Sequence, residues 1–378
     1  MQQRNQQILT SLLLSPLLLA ASGYAQTASF TPLGFMDTVN PWSECTGISD
    51  DGSLVVGHSR GPNHAAENLS FTWTVATGMI AIANPPLNQG VPSSRATDVS
   101  GDGLVLAGDT TFDVFGGTGY TWQSGFGFTP LTPAGDGGYA NTSATNGDGS
   151  VSVGYTRLGG YIAMITNKEA TVWLDDGQLA GHTIGRYPAG VVSTARGVSR
   201  DGNVVVGEAL RDWQEGQTAF RWDMADGFVS LGDLPGGYHF SRASAASANG
   251  DKIVGFGTIS FSAGFSVDHR ACLWDAQGVH QLPDLAGSGY RSEANDISPD
   301  GQFTVGWSQH GPSWVPVIWD DVHGARNIFE LMTQAGVDVS SWDSGIATAV
   351  SADGKTIVGH GRRGTPFPTT EAWVCTLP

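Results

Sequence analysis

The chain has only three lysines, Lys168, Lys252 and Lys355, and three cysteines, Cys45, Cys272 and Cys375, in 378 residues. Lysine and arginine together number 18 against 35 Asp and Glu, giving a formal net charge of −17. A surface this acidic repels phosphate backbones and anionic lipid, because affinity for them depends on cationic neutralisation, so nucleic-acid binding is excluded. Three cysteines are too few for a disulfide framework, and a chain of this length buries enough apolar surface without one. No His-x-x-x-His, Cys-x-x-Cys or EF-hand pattern is present, so neither metal nor cofactor has a motif behind it. No apolar run is long enough to span a bilayer.

The longest apolar run, residues 8–20, follows Arg4 and precedes the small residues Gly23-Tyr24-Ala25. A charged start, a short apolar stretch and a small-x-small site together read as a signal peptide over residues 1–25. Export without an anchor places the expected mature chain, 26–378, in the periplasm or outside the cell, as a single domain.

Within that mature region one pattern recurs seven times: a short strand ending in Ser, then x-Asp-Gly, then an apolar strand ending in Gly. Its turn glycines are Gly52, Gly103, Gly149, Gly202, Gly250, Gly301 and Gly354. Asp-Gly or Asn-Gly between short apolar strands is a strong hairpin signal, because such turns need a backbone with positive φ. Aspartate favours that turn through its own side chain, which explains the repeated acids more simply than calcium does. Each hairpin is followed by a strand carrying Trp73, Trp122, Trp173, Trp222, Trp274, Trp319 or Trp373, then by Gly and a fourth strand. In the sixth repeat the strands a to d are expected at 294–298, 303–306, 316–319 and 325–329.

Four antiparallel strands per repeat make a propeller blade rather than a solenoid coil. The seventh repeat ends after its Trp strand, and the missing fourth strand stands at the other end as Phe30-Thr31-Pro32-Leu33-Gly34. An N-terminal strand that completes the last blade requires a closed ring, which removes the open sheet edge. The fold class is therefore all-β: a seven-bladed β-propeller with strand a innermost. Closure brings Cys45 and Cys375 into neighbouring blades, either as a disulfide or as two reduced, buried thiols.

Trp222, followed by Gly227-Phe228-Val229-Ser230-Leu231-Gly232-Asp233-Leu234-Pro235-Gly236-Gly237 and then by Ser244-Ala245-Ala246-Ser247-Ala248-Asn249-Gly250, resembles the repeats of the bacterial extracellular HAF-repeat family. The resemblance extends over essentially all of the chain after residue 25. It implies an exported bacterial repeat protein and brings no assigned activity. The namesake His-Ala-Phe is altered here to Thr218-Ala219-Phe220, and in His269-Arg270-Ala271-Cys272 the histidine stands one residue out of place.

In this topology the a-b and c-d turns lie on one face, short and uniform. The b-c and d-a connections lie on the other, long and irregular, and a variable surface on a rigid scaffold is where function concentrates. That face carries Tyr139, Tyr238 and Tyr290 before strand a, and Trp213, Trp307, Trp314 and Phe367 in the expected b-c loops. Aromatic faces beside glycine suit sugar rings or peptide side chains, although these tyrosines equally fit as packing between blades. The residues after the closing Gly of strand b are His58, Asp109, Tyr155, Glu208, Phe256, Trp307 and His360; the start of strand a adds Glu44, Arg95, Arg242 and Glu293, with Asp98 and Asp296 deeper. Ring closure puts His58 and His360 in adjacent blades near Glu44 and Arg362, a set that acid-base chemistry can use. Two expectations follow. One is an exported binding module for a glycan or protein partner, using the aromatic residues with Arg95 and Arg242; the other is an extracellular hydrolase or lyase acting on polysaccharide through His58, His360 and Glu44.

Overall fold

A computed structural model describes residues 27–378 apart from 63–66, 83–92, 114–115, 136–137, 159–166, 177–178, 187–189, 213–215, 237–238, 263–265 and 365–367. The expected signal peptide lies outside the described residues. Seven four-stranded antiparallel sheets form the ring, with blades at 43–81, 93–130, 139–185, 192–232, 242–281, 288–327 and 342–376. The last blade takes Ser29–Gly34 as its outer strand, with Phe30 opposite Cys375 and Pro32 opposite Trp373. Among the described residues no helix is long and apolar enough to cross a membrane.

The repeated Ser-x-Asp-Gly is a hydrogen-bonded unit. Ser199 Oγ donates to Asp201 Oδ1 (2.6 Å) and accepts from the Val204 amide (2.9 Å), while Asp201 Oδ1 accepts from the Asn203 amide (3.0 Å). Ser49, Ser100, Ser298 and Ser351 make the same pair of bonds. The glycine that follows has φ between 69° and 77° in every blade, a region that costs other residues about 1–2 kcal/mol. The aspartate oxygens are thus engaged in the turn. Ser199→Ala removes an acceptor from a buried amide and is expected to destabilise by about 1–3 kcal/mol in urea unfolding, with Asn203→Ala as a near-neutral comparison.

These turns also lock the blades to one another. Asp50 N–H donates to Gly101 O (2.8 Å), Asp102 to Gly147 (3.0 Å), Gly147 to Arg200 (3.0 Å), Asp201 to Ala248 (3.0 Å), Ala248 to Pro299 (2.8 Å) and Ala352 to Asp50 (2.9 Å). At the seam between blades 6 and 7 the matching residue is Pro299, which has no N–H to give. Side chains bridge that seam instead: Asp296 Oδ2 accepts from the Val350 amide (2.9 Å) and Asn295 Nδ2 donates to Ala347 O (2.7 Å).

The Trp of strand c packs between blades. Trp173 and Trp373 are fully buried, and Trp173 Nε1 donates to Thr132 O (2.8 Å) beyond the preceding blade's outer strand, as Trp319 Nε1 does to Pro283 O (2.9 Å). Burying a large side chain of this kind contributes about 1.5–3 kcal/mol. The indole N–H keeps a partner in Trp173 and Trp319, whereas those of Trp274 and Trp373 are buried without one among the described residues.

Three expectations are corrected. In the sixth blade the strands run Ser288–Ile297, Thr304–His310, Ser313–Asp320 and Gly324–Asn327, longer than expected for a to c. Phe329 belongs to a helix, Ile328–Gln334, capped by the Asn327 side chain on the Phe329 amide and anchored by buried Ile328 and Met332. The expected loop at 307–314 is a hairpin of strands b and c, so Trp307 and Trp314 sit on strands. Elsewhere too the b-c segments are largely strand, as in Ile253–Ser262 and Ser266–Asp275. The three cysteines are free and buried. Cys375 packs with Ile357 and Ile328, whereas Cys45 packs with Val55, Phe71 and Ala372, so the two thiols occupy different cores.

Candidate functional site

Every strand a carries a register shift at the same place, so two residues there oppose one on strand b. Such a bulge re-aims a side chain. The extra residues are Thr46, Thr97, Ser143, Arg196, Ser244, Asn295 and Thr348, and all seven line the central channel, a narrow space of about 140 Å³. Several reach the next blade: Thr46 Oγ1 donates to Ala96 O (3.0 Å) and Thr348 Oγ1 to Cys45 O (3.1 Å).

At the a-b end of the channel Arg200 of blade 4 meets Asp50 of blade 1 at 2.6 Å, across the axis. Asp98 and Asp296 flank it, half-buried, each accepting two backbone N–H bonds. Burial pushes both carboxyls up, Asp98 to about 7, against the lowering influence of Arg200. Their backbone bonds join blade 2 to 3 and blade 6 to 7, which makes them structural.

At the opposite end the channel opens into a cavity of about 430 Å³ lined by Arg95, Arg196, Arg242, Asp109, His58, Tyr155 and neighbouring small polar residues. Arg95 lies 3.3 Å from Asp109, Arg196 takes Glu208 through two nitrogens at 2.6–3.0 Å, and Arg242 Nη2 donates to Glu293 at 2.8 Å. Arg196, which interrupts a ring of Thr, Ser and Asn, escaped the sequence reading; an alignment of the repeats across the bulge exposes it.

Beside the cavity Glu44 lies between two imidazoles, with His58 Nε2 at 3.9 Å and His360 Nε2 at 3.8 Å. The expected cluster therefore forms, although of the three only His58 lines the cavity. Burial, then Arg95 and His360, drives His58 down to about 3; burial drives His360 down to about 4. Burial raises the Glu44 carboxyl while Arg95 opposes it.

Both imidazoles are neutral in the fold at pH values where an unfolded histidine, with its pKa of 6.5, takes a proton. The unfolded state therefore binds more protons between pH 6.5 and about 4, so this contribution to stability is full above that window and is lost as pH falls through it. Asp98 runs the other way, losing stability as pH rises from 3.8 to about 7. Subtracting a His58→Gln/His360→Gln variant from the native chain isolates the histidines. The variant is expected to gain relative stability on acidification, by up to about 1.4 kcal/mol per pH unit for each His, in urea titrations from pH 6.5 to 4. A difference that stays flat over that range would mean the imidazoles accept protons in the folded state.

An aromatic run leads away from the cavity over blades 5 and 6. Ring centroids step from Phe240 to Phe256 (5.8 Å), to His269 (4.9 Å), to Trp307 (5.9 Å) and to Trp314 (5.0 Å, stacked). Phe256 and Trp307 are buried, while Phe240 and Trp314 at the two ends are 37% and 50% exposed. The guanidinium of Arg242 lies 4.7 Å from the Phe256 ring centre, and His269 Nε2 stands 3.0 Å from Glu293. The run ties Arg242, Trp307 and Trp314 together and adds Phe240, which the sequence did not single out, and His269, noted there only as displaced from the His-Ala-Phe position. Tyr139 is exposed at the start of strand a in blade 3. Tyr290 lies on strand a of blade 6, its side chain outside the described residues, as are Trp213, Tyr238 and Phe367 altogether.

No protein-family model matches the chain, and no curated protein matches it in sequence. Among solved structures it is similar to puromycin hydrolase, at 16% identity and a TM-score of 0.58 over 88% of this chain and 51% of that one. It is similar to oligogalacturonate lyase from Vibrio parahaemolyticus, at 10% identity and 0.55 over 93% and 97%. The β-propeller domain of the Trilobed protease from Pyrococcus furiosus, described as having an open velcro topology, gives 12% and 0.53 over 88% and 95%. The likeness is one of fold. The chain spans about half the length of puromycin hydrolase, and propellers of this kind host unrelated functions.

Proposed function

We propose that the chain is an exported binding module that holds a glycan on its b-c/d-a face. The aromatic run from Phe240 to Trp314 beside the mouth cavity supports this reading. Sugar rings present apolar C–H faces that stack on exposed indole and phenyl rings, and Trp314 and Phe240 offer such faces at the two ends of a rigid row. The cavity, within the usual size range of small-molecule sites, receives one sugar unit while its neighbours lie over the rings.

The test is a glycan array probed with the chain from residue 26 onward and with Trp314→Ala. Retention of a glycan, weakened about 10-fold in the variant, is the expected result. Retention unaffected by Trp314→Ala would remove the aromatic row from the site, and capture of a protein instead of a glycan would turn the same face into a protein interface.

The Glu44, His58 and His360 cluster favours a second reading, an extracellular hydrolase or lyase acting on polysaccharide. Neutral imidazoles beside a carboxyl raised by burial are suited to moving protons. Incubating retained glycans with the protein and with His58→Ala/His360→Ala, and following chain length, distinguishes the two: a lectin-like module leaves every chain intact.

A further inference from the structure

Three guanidinium groups meet in the mouth cavity of a chain whose formal net charge is −17. Arg95, Arg196 and Arg242 reach it from blades 2, 4 and 5, and their counter-charges are placed unevenly. Glu208 and Glu293, which hold Arg196 and Arg242, are not among the residues that line the cavity; Asp109, the partner of Arg95, is. The walls thus carry three cations and one anion, with His58 uncharged beside them. Two of the carboxylates act from outside the cavity wall and hold their guanidiniums in place.

Arginine has five N–H donors in a planar fork, and the bonds to Glu208 and Glu293 leave donors over on both. A guanidinium already fixed by a carboxylate loses little further side-chain freedom when a second oxyanion arrives. The acidity of the remaining surface is screened beyond about 8–10 Å at physiological salt, so contacts inside the cavity decide the sign of the charge it accepts. The fork geometry matches a planar carboxylate in particular.

We propose that the mouth cavity recognises a carboxylate-bearing sugar, so that the glycan held by this face is a uronic-acid polymer or a chain carrying one uronic residue. The inference rests on the binding reading above. It also gives the face its direction: the acidic sugar enters among the arginines, and the adjoining rings run towards Trp314 over blades 5 and 6.

The test is calorimetric titration with hexamers of galacturonic, glucuronic and mannuronic acid, with the methyl ester of each, and with sulfated galactose hexamers. A free acid is expected to bind about 10- to 100-fold more tightly than its ester, the range of one lost charge-assisted hydrogen bond. Arg95→Gln is expected to reduce that preference by a similar factor. Arg95 is 43% exposed, and its melting curve against the parent separates lost binding from lost folding. The acid-ester comparison on the unmodified protein needs no variant. Equal affinity for acid and ester, or binding of neutral array glycans without any of the acids, overturns the carboxylate assignment and leaves the glycan reading standing. Binding of sulfated hexamers in place of the acids overturns it as well. Silence toward every glycan removes both.

Discussion

Gly255→Ala is expected to cost at least about 4 kcal/mol, enough to leave a marginally stable domain largely unfolded at ambient temperature. A Cβ on Gly255 would stand 1.9 Å from the Arg242 carbonyl oxygen on the neighbouring strand. The crowding follows from the bulge. By inserting a residue into strand a, the register shift swings the carbonyl before it over strand b, and only a glycine leaves room. The same approach recurs at 1.9–2.1 Å for Gly57, Gly154, Gly207, Gly306 and Gly359, and at 2.6 Å for Gly108. Relief would require moving the backbone of strand a, and with it Arg242 and its contacts to Glu293 and Phe256. Gly125→Ala is the control: its φ of 84° carries strain, but nothing lies within 4 Å, so a loss of about 1–2 kcal/mol is expected. Urea unfolding followed by circular dichroism separates the two. If both variants unfold at the same denaturant concentration, the steric account of the repeat's closing glycine is wrong.

That glycine shows how much of the fold was legible in the sequence. Its recurrence marked the end of strand b and, with the Asp-Gly turn, gave the number of blades. The reason for it was not legible, because a bulge on one strand leaves its trace on the partner and has no residue type of its own. For the same reason Arg196 looked like any exposed arginine until the bulge aimed it into the channel. Glu44, His58 and His360 were legible as a group because they follow from blade order and strand position alone. Arg242 with Glu293 needed more, since Arg242 begins blade 5 and Glu293 lies within the first strand of blade 6. The b-c hairpins were read as loops because Gly311-Pro312 interrupts the apolar pattern; in the structure these residues form the tight turn of a hairpin, with Gly311 at φ 60°. The helix at Ile328–Gln334 is too short to show a helical period. The sequence placed Cys45 and Cys375 in neighbouring blades and left a disulfide or two buried thiols open; the thiols are free because along strand c of blade 7 Ala372 and Val374 face the core shared with Cys45 while Trp373 and Cys375 face the other.

The second large effect concerns closure of the ring. Phe30 sits against Trp373 (5.2 Å between ring centres), Trp342 (5.4 Å) and Phe329 (5.8 Å), so one side chain of the outer strand joins strands a and c of blade 7 to the helix after blade 6. Phe30→Ala is expected to cost about 3–5 kcal/mol by emptying that site while leaving the strand's backbone pairing in place. Deleting residues 27–34 removes the side chain and the pairing together. It bares the edge of strand c, Thr369–Thr376, and takes away the Gly34 carbonyl that accepts from Ser43 Oγ, the hydroxyl that also receives the Ala372 amide at 3.0 Å across the closing seam. An exposed edge of this kind recruits another strand. The deleted chain is therefore expected to melt lower than Phe30→Ala and to associate in size-exclusion chromatography, and an added peptide of residues 27–36 is expected to bind it and restore both the monomer and much of the lost melting temperature. Binding of that peptide to the intact protein as well would mean that the last blade opens readily. A deleted chain that stays monomeric with an unchanged melting temperature would show that the contacts between blades hold the ring shut without the borrowed strand.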